Sequence, residues 1–360
     1  MSVPTARQIV MTYGWNATAY QILNRGMDQW LALGVPAVVG YARCGNTLVA
    51  AGGPVCPPAA LPTATAAFER FACQHGCGVC YVCCEERLRA LFRGSRDHAA
   101  VAIGAQPVWD PRAWARVVAS TPTLRAQLHR ARNQGVVIEA MSPEASGNRE
   151  SLGRIRVAWL HTRCLPSLRF LADSDVLAGI DTDRVALVAR QGDTAVAYLI
   201  ASPIALRNGY LIEQVVRAPR SPNGTSELLI DAAMRHFAAA GRTYCTLGLV
   251  ALARMATPML RQNPSWLRGL MHLARRHANA LYGFRGLGSF RTKMAPNRWD
   301  SIYAIANEPA LPFRTLLAVG EAFFGMPPWC AIGIGLVRAA ARQLRQAAPR
   351  IAERMGAQAP

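Results

Sequence analysis

The sequence predicts an α/β fold made of two similar domains followed by a helical extension. Helix-period and strand-period segments alternate along most of the chain, one polar, turn-rich stretch divides them, and the composition changes character from Leu311 onward. At 360 residues and 51% hydrophobic composition the chain is long enough to bury substantial cores. The usual size of roughly 150 residues per domain then gives about two domains.

The elements follow in order. A helix-like pattern over 13–31 precedes strands over 37–41 and 47–51, the second ending at Gly52-Gly53-Pro54. A helix over 61–74, a strand over 78–84, a helix over 111–133 and a strand over 136–140 complete the first domain, 1–145. The stretch 142–150, with Pro143, Gly147 and Asn148, is the best linker candidate. Beyond it a helix over 152–163, strands over 185–190, 194–203 and 210–217, a helix over 226–240 and a strand over 244–249 form the second domain, 146–310. The tail, 311–360, holds an apolar run over 322–337, broken by Gly325 and Pro327-Pro328, and then an Ala/Arg-rich helix. It reads either as a helical hairpin packed on the second domain or as an interfacial segment with arginines toward anionic headgroups.

Forty Lys plus Arg against 21 Asp plus Glu give a net charge of +19. Such a balance points to a polyanionic partner, nucleic acid or an anionic membrane face. Lys293 is the only lysine, so the other 39 basic residues are arginine. No apolar stretch of roughly 18 residues runs uninterrupted, and the first residues lack the pattern of a signal peptide, so a cytoplasmic chain is expected, peripheral on the inner face of the membrane. Its ten cysteines then read as reduced thiols.

Cys73, Cys77 and Cys80 have the spacing that holds an iron–sulfur cluster in some enzymes. However, residues 79–83 read as a buried strand, and alternation sends Cys80 and Cys83 to opposite faces. Buried thiols and no metal are the expectation. No phosphate-binding G-x-x-x-x-G-K-[ST], dinucleotide G-x-G-x-x-G, G-x-S-x-G or H-E-x-x-H occurs, which excludes the nucleotide-hydrolysing, dinucleotide, serine-hydrolase and zinc-protease classes these motifs mark.

The strand ending at Arg217 leads through Asn223, Gly224 and Thr225 into a helix, so that free amides and a positive helix end are offered to phosphate or carbonyl oxygens. Ordinary capping by Thr225 or Ser226 is the competing reading. An acetyl-CoA-dependent transferase of the GNAT type carries a glycine-rich loop at this place, and here only Gly224 is present.

Several segments, in order, resemble the C-terminal catalytic domain of lysylphosphatidylglycerol synthases. They are residues 104–114 and 124–135, Trp159-Leu160, Gln214-Val-Val-Arg217, Pro222-Asn-Gly-Thr225, residues 247–252 and 281–287, and Phe290-Arg-Thr-Lys293 continuing to Pro296 and Trp299. The resemblance covers about residues 10–306 and implies tandem GNAT-like (acyl-CoA N-acyltransferase-like) domains. It also implies transfer of an aminoacyl group from aminoacyl-tRNA, as co-substrate with no further cofactor, to a polar membrane lipid such as phosphatidylglycerol. The implied partners are aminoacyl-tRNA and anionic phospholipid, with no DNA. Arg125, Arg130 and Arg132 on one helix are the candidates for the tRNA backbone, against a merely solvated helix face. Where the family has Asp-x-x-Arg this chain has Gln214 and Arg217, so the arginine carries over and the acid does not. Glu213, the neighbouring acid, is expected on the other side of the strand. Lys293 matches the second lysine of the family's Phe-Lys-x-Lys and Arg291 replaces the first. A chain that writes arginine at every other basic position keeps lysine where a compact amine is needed. Catalytic candidates are therefore Arg217, Lys293, Glu213 and Gln214. Trp159, Asn223, Gly224, Thr225, Arg285 and Arg291 are candidates for substrate binding. An acyl-CoA-dependent N-acyltransferase and a non-catalytic RNA- or membrane-binding module remain open alternatives.

Overall fold

A computed structural model describes residues 4–141, 146–163, 165–166, 168–171, 177, 183–252, 257–277, 284–339 and 341. The first part of the chain contains α1 (Ala6–Tyr13), β1 (Asp28–Leu31), β2 (Val38–Cys44), β3 (Thr47–Ala51), α2 (Leu61–Gln74), β4 (Gly78–Cys84), α3 (Glu86–Leu91), β5 (Ala99–Trp109), α4 (Trp114–Ser120) and α5 (Pro122–Asn133). Then come β6 (Val136–Ala140), α6 (Ser146–His161), β7 (Val185–Gln191), β8 (Thr194–Ile204), β9 (Gly209–Arg217), α7 (Thr225–Ala239), β10 (Tyr244–Thr246) and β11 (Val250–Ala251). The last elements are α8 (Thr257–Leu260), α9 (Ser265–His277), α10 (Phe284–Lys293), β12 (Arg298–Ala306), α11 (Phe313–Phe324) and α12 (Pro328–Ala339).

One sheet joins all the strands in the order β1-β2-β3-β4-β12-β5-β10-β9-β8-β7-β6, with β11 beside β5. A strand–helix–strand unit with parallel strands occurs twice in it, as β3-α2-β4 and as β9-α7-β10. Between them β12, late in the chain, lies antiparallel between β4 and β5, and β5 in turn pairs with β10. The two halves are thus sewn together by exchanged strands. In the first half, one core cluster lies under α2 and α3 and another under α1 and α11. In the second, α4, α5 and α7 cover one face and α6 the other.

Local chemistry explains where the sequence-based boundaries hold and where they move. The helix at 61–74 and the strands at 47–51, 78–84 and 136–140 form with the expected bounds. The helix expected over 13–31 does not form. Instead α1, started by a capping box between Thr5 and Gln8, ends at Gly14, and a short 3-10 turn (Tyr20–Leu23) and β1 follow. The helix expected over 111–133 divides into α4 and α5 because Pro122 forces Thr121 into an extended conformation, φ −114° and ψ 89°. Residues 142–145 of the expected linker lie outside the described set, and α6 already begins at Ser146. Most of the expected Ala/Arg-rich tail helix is likewise outside it.

Two β-bulges overturn alternation arguments. Opposite Tyr303 and Ala304 the partners are Cys84 and Val82, so Cys83 is the extra residue and takes φ +62°. Cys80 and Cys83 consequently share one core cluster instead of facing opposite sides. In β9, Ile200 and Ala201 pair with Gln214 and Ile212, which makes Glu213 the extra residue.

Asp231, buried in the middle of α7, ties the helical layer of the second half together. It accepts from Trp114 Nε1 at 2.9 Å, Arg132 at 3.0 Å and Arg235 at 3.1 Å. Replacing Asp231 by Ala strands the Trp114 N–H and uncouples Arg132, and should cost about 3 kcal/mol in thermal or denaturant unfolding. An unchanged midpoint would show that this carboxylate does not hold the layer.

Candidate active site

The second strand–helix–strand unit opens a pocket of about 380 Å³, within the size range of small-ligand sites. Its lining includes Gln127 and Arg130 from α5, Arg217 from the end of β9, Asn223 and Gly224 from the loop, and Phe290 from α10. Thr225, Ser226 and Glu227, the first turn of α7, form its floor.

Gly224 permits this arrangement. It sits at the helix N-cap with φ +91°, and a Cβ there would overlap the Gln127 carbonyl oxygen of α5. Thr225 is fully buried and closes the loop by donating from Oγ1 to the Pro222 carbonyl at 2.7 Å. No side chain caps the helix, so the first-turn amides of Ser226 and Glu227 face the pocket with the positive end of α7 behind them. Arg130 and Arg217 flank these amides and are solvent-accessible. Among the described residues, only long contacts to Ser221, 3.4 and 3.5 Å, restrain the Arg217 guanidinium. Two arginines against Glu227 leave the pocket at +1, and its donors suit a phosphate group.

Other predicted residues are engaged elsewhere. Arg125 donates to the carbonyls of Val118 and Ala119 at the end of α4. Arg132 is the partner of Asp231. Arg130 is thus the one of the three that reaches the pocket. The bulge in β9 points Glu213 and Gln214 toward the same, α6-covered face, correcting the alternation expectation. Glu213 forms a buried ion pair with Arg184 at 3.5 Å, and the Tyr198 hydroxyl donates to Gln214 Oε1 at 3.4 Å. Trp159 packs on that face too, with the Arg163 guanidinium 4.4 Å from its ring centre. Arg217 points to the opposite, α7-covered face, so Gln214 and Arg217 do not meet. On α10, Arg291 donates to the carbonyls of Gly248 and Leu249 at 2.9 and 2.8 Å, fixing that loop. Lys293, at the end of α10 one turn beyond Phe290, is exposed and has no hydrogen-bond or ion-pair partner among the described residues. Arg285 lies on the same helix, its side chain outside the described set.

Gln127, Ser226, Glu227 and Phe290 escaped the sequence argument. Gln127 stands one turn before Arg130, a helical spacing that signals it once Arg130 is chosen. Phe290 gives no such signal, because its role depends on α10 folding back across the sheet.

Among the described residues, the start of α2 in the first strand–helix–strand unit offers no comparable opening. Its cleft, about 10 Å³, is occupied by Trp15, stacked against Arg87 and Arg207, and α2 starts with Pro62 in its first turn, which has no N–H to offer. Among the described residues no three His, Cys, Asp or Glu side chains converge as a metal site. Burial pushes the Cys80 and Cys83 thiols up to about 12, so they stay protonated at neutral pH.

The fold is thus a mixed α/β sheet in which a parallel strand–helix–strand unit occurs twice, with the pocket at the helix start of the second unit. The family model described as phosphatidylglycerol lysyltransferase, C-terminal, matches residues 7–306, and the chain belongs to that family. Among solved structures, the C-terminal domain of a putative lysylphosphatidylglycerol synthetase from Agrobacterium fabrum superposes with a TM-score of 0.70 at 19% identity, covering 89% of this chain and 96% of that one. L-PGS from Bacillus licheniformis gives a TM-score of 0.70 at 17% identity, with coverages of 89% and 96%. FemX, at 8% identity, gives 0.58 over 88% of this chain and 99% of that one. At these identities the likeness is one of fold. No curated protein matches the chain in sequence.

Removing either pocket arginine, Arg130→Ala or Arg217→Ala, should weaken binding of inorganic pyrophosphate about tenfold in titration calorimetry, the scale of one charged hydrogen bond. Equal affinity in both variants would place anion binding elsewhere. Alkylation of the native protein should mark Cys73 and Cys330, both exposed, and reach Cys80, Cys83 and Cys245 only after unfolding. Rapid labelling of Cys80 would contradict the burial described.

Proposed function

We propose that the protein transfers an aminoacyl group from aminoacyl-tRNA to a hydroxyl of phosphatidylglycerol or a similar polar lipid, working at the inner face of the membrane. The observation that carries this reading is the phosphate-suited pocket where Arg130, Arg217 and the start of α7 meet, in a chain that belongs to a lysyltransferase family. The named activity of that family supplies the lipid acceptor.

The reaction is a transesterification. The lipid hydroxyl attacks the ester carbonyl, a new C–O bond to the lipid forms, and the C–O bond to the tRNA ribose breaks. The proton of the attacking hydroxyl ends on the ribose oxygen. This needs positioning, donors for the tetrahedral oxyanion and cations for the substrate phosphates, without a covalent enzyme intermediate. Arg130, Arg217 and the α7 amides hold a phosphate of the tRNA 3′ end. Lys293, compact and unpaired among the described residues, faces the lipid phosphate. Gln214, on the opposite, α6-covered face of the sheet, takes no proton and does not act as a base.

One observation favours a second reading: amides at the α7 start also suit the pyrophosphate of an acyl-CoA. Copurification separates the two, since bound tRNA at low salt supports the first and bound CoA the second. With purified protein, phosphatidylglycerol vesicles and a pool of radiolabelled aminoacyl-tRNAs, label should pass into the lipid phase. None doing so would remove the proposal. Lys293→Arg should lower that transfer about a hundredfold, the scale of one lost charged contact in the transition state, and wild-type activity would remove Lys293 from the mechanism.

A further inference from the structure

The family match ends at residue 306, before the two helices α11 and α12. α11 lays Ala318 and Ala322 into the core cluster beside β2 and β3. Gly325, at φ +65°, ends it, and α12 departs with a bend of 55°. The helices approach closely at Gly320, where a Cβ would stand 2.6 Å from Pro328. The hairpin is anchored to the segment after α6, because Arg169 N–H donates to the Phe323 carbonyl at 2.8 Å and Phe170 meets the Phe323 ring edge-on.

α12 buries only a narrow seam, Ala331 and Gly335, spaced four apart. The remainder faces outward: Trp329 is 61% exposed, Leu336 57% and Val337 70%, with Ile332 between them on the same stripe. No single helix among the described residues is long and apolar enough to cross a membrane, but α11 and α12 together have the length and composition, interrupted by their bend. An apolar surface this continuous is seldom left in water. α9 adds a second stripe. Its Leu267 and Met271 join the same core cluster as α11, while Trp266, Leu270 and Leu273 are exposed at i, i+4 and i+7.

Charge identifies what covers these stripes. Directly after the apolar run the sequence carries Arg338, Arg342, Arg345, Arg350 and Arg354 against one acid, Glu353. An apolar helix followed by a basic segment matches an anionic lipid interface, where aromatic and aliphatic side chains enter the acyl boundary and arginines meet headgroup phosphates. A second protein copy with the same +19 charge would bring those arginines against each other.

We infer that α12 with its Arg338 and the outer stripe of α9 dock on an anionic phospholipid bilayer, with α12 lying in the interface and not crossing it, a pairing that the basic sequence following α12 favours by charge. This deepens the lipid-acceptor reading by naming where the protein meets its acceptor, and its test needs no transfer.

The test is cosedimentation of the full chain with vesicles. Wild type should bind vesicles containing phosphatidylglycerol, bind phosphatidylcholine vesicles weakly, and release in high salt. Leu336→Asp combined with Val337→Asp should reduce vesicle affinity about tenfold or more at an unchanged thermal midpoint. Trp329→Glu, made separately, should act in the same direction. Failure of wild type to sediment with anionic vesicles would overturn the proposal. So would a double variant that binds like wild type, or one that only converts a wild-type dimer to a monomer. Transfer to short-chain phosphatidylglycerol in detergent micelles separates this surface from the chemistry. A double variant active there but defective on vesicles supports docking. If neither protein transfers, yet only the variant loses vesicle binding, the docking surface stands and the aminoacyl-transfer reading falls.

Discussion

The buried carboxylate of Asp231 is the interaction on which the pocket's geometry depends. A lone charge in that position would be strongly unfavourable, and three donors from three places in the sequence remove the cost: Trp114 at the start of α4, Arg132 at the end of α5 and Arg235 one turn along α7. Their convergence sets the distance between α5 and α7. At that distance the backbone of α5 touches the loop before α7, and only a residue without a Cβ fits, which is Gly224. The pocket is the space left between these two helices once they are fixed, and Arg130 and Arg217 reach it from either side.

Among the described residues, the two copies of the doubled motif differ in what their helix starts offer. Both halves contain a parallel strand–helix–strand unit, and the exchange of β12 and β5 joins them through a continuous backbone ladder. The first unit has its cleft closed by Trp15 between two arginines and proline in the first turn of its helix. The second keeps its amides and its opening. The division of labour is written in these few residues: the first half supports, and the second presents donors.

Much of this was legible in the sequence because it is local. The strands over 47–51 and 78–84 and the helix over 61–74 have strong periodicity and clear punctuation, and the Asn-Gly-Thr turn before α7 announced the helix start that lines the pocket. What escaped is non-local. β5, with Gly104, Pro107 and four alanines among its residues, shows no clear alternation, since it is paired on both sides and buried on both faces. The bulges at Cys83 and Glu213 are set by the partner strand's register, so simple alternation misplaced both. Arg125 and Arg132 looked equivalent to Arg130 on a basic helix. Their internal partners, the α4 carbonyls and Asp231, come from segments whose proximity only the fold creates.

The central claim is that the opening between α5 and α7 receives the 3′ end of a charged tRNA. Its most direct test is photo-crosslinking of the full protein to aminoacyl-tRNA bearing an azido group on the terminal adenine, with the attached peptides mapped by mass spectrometry. The account predicts adducts within 122–133 and 217–230, competed by pyrophosphate and abolished by high salt. Adducts confined to other surfaces, or none above a non-cognate RNA control, would contradict it.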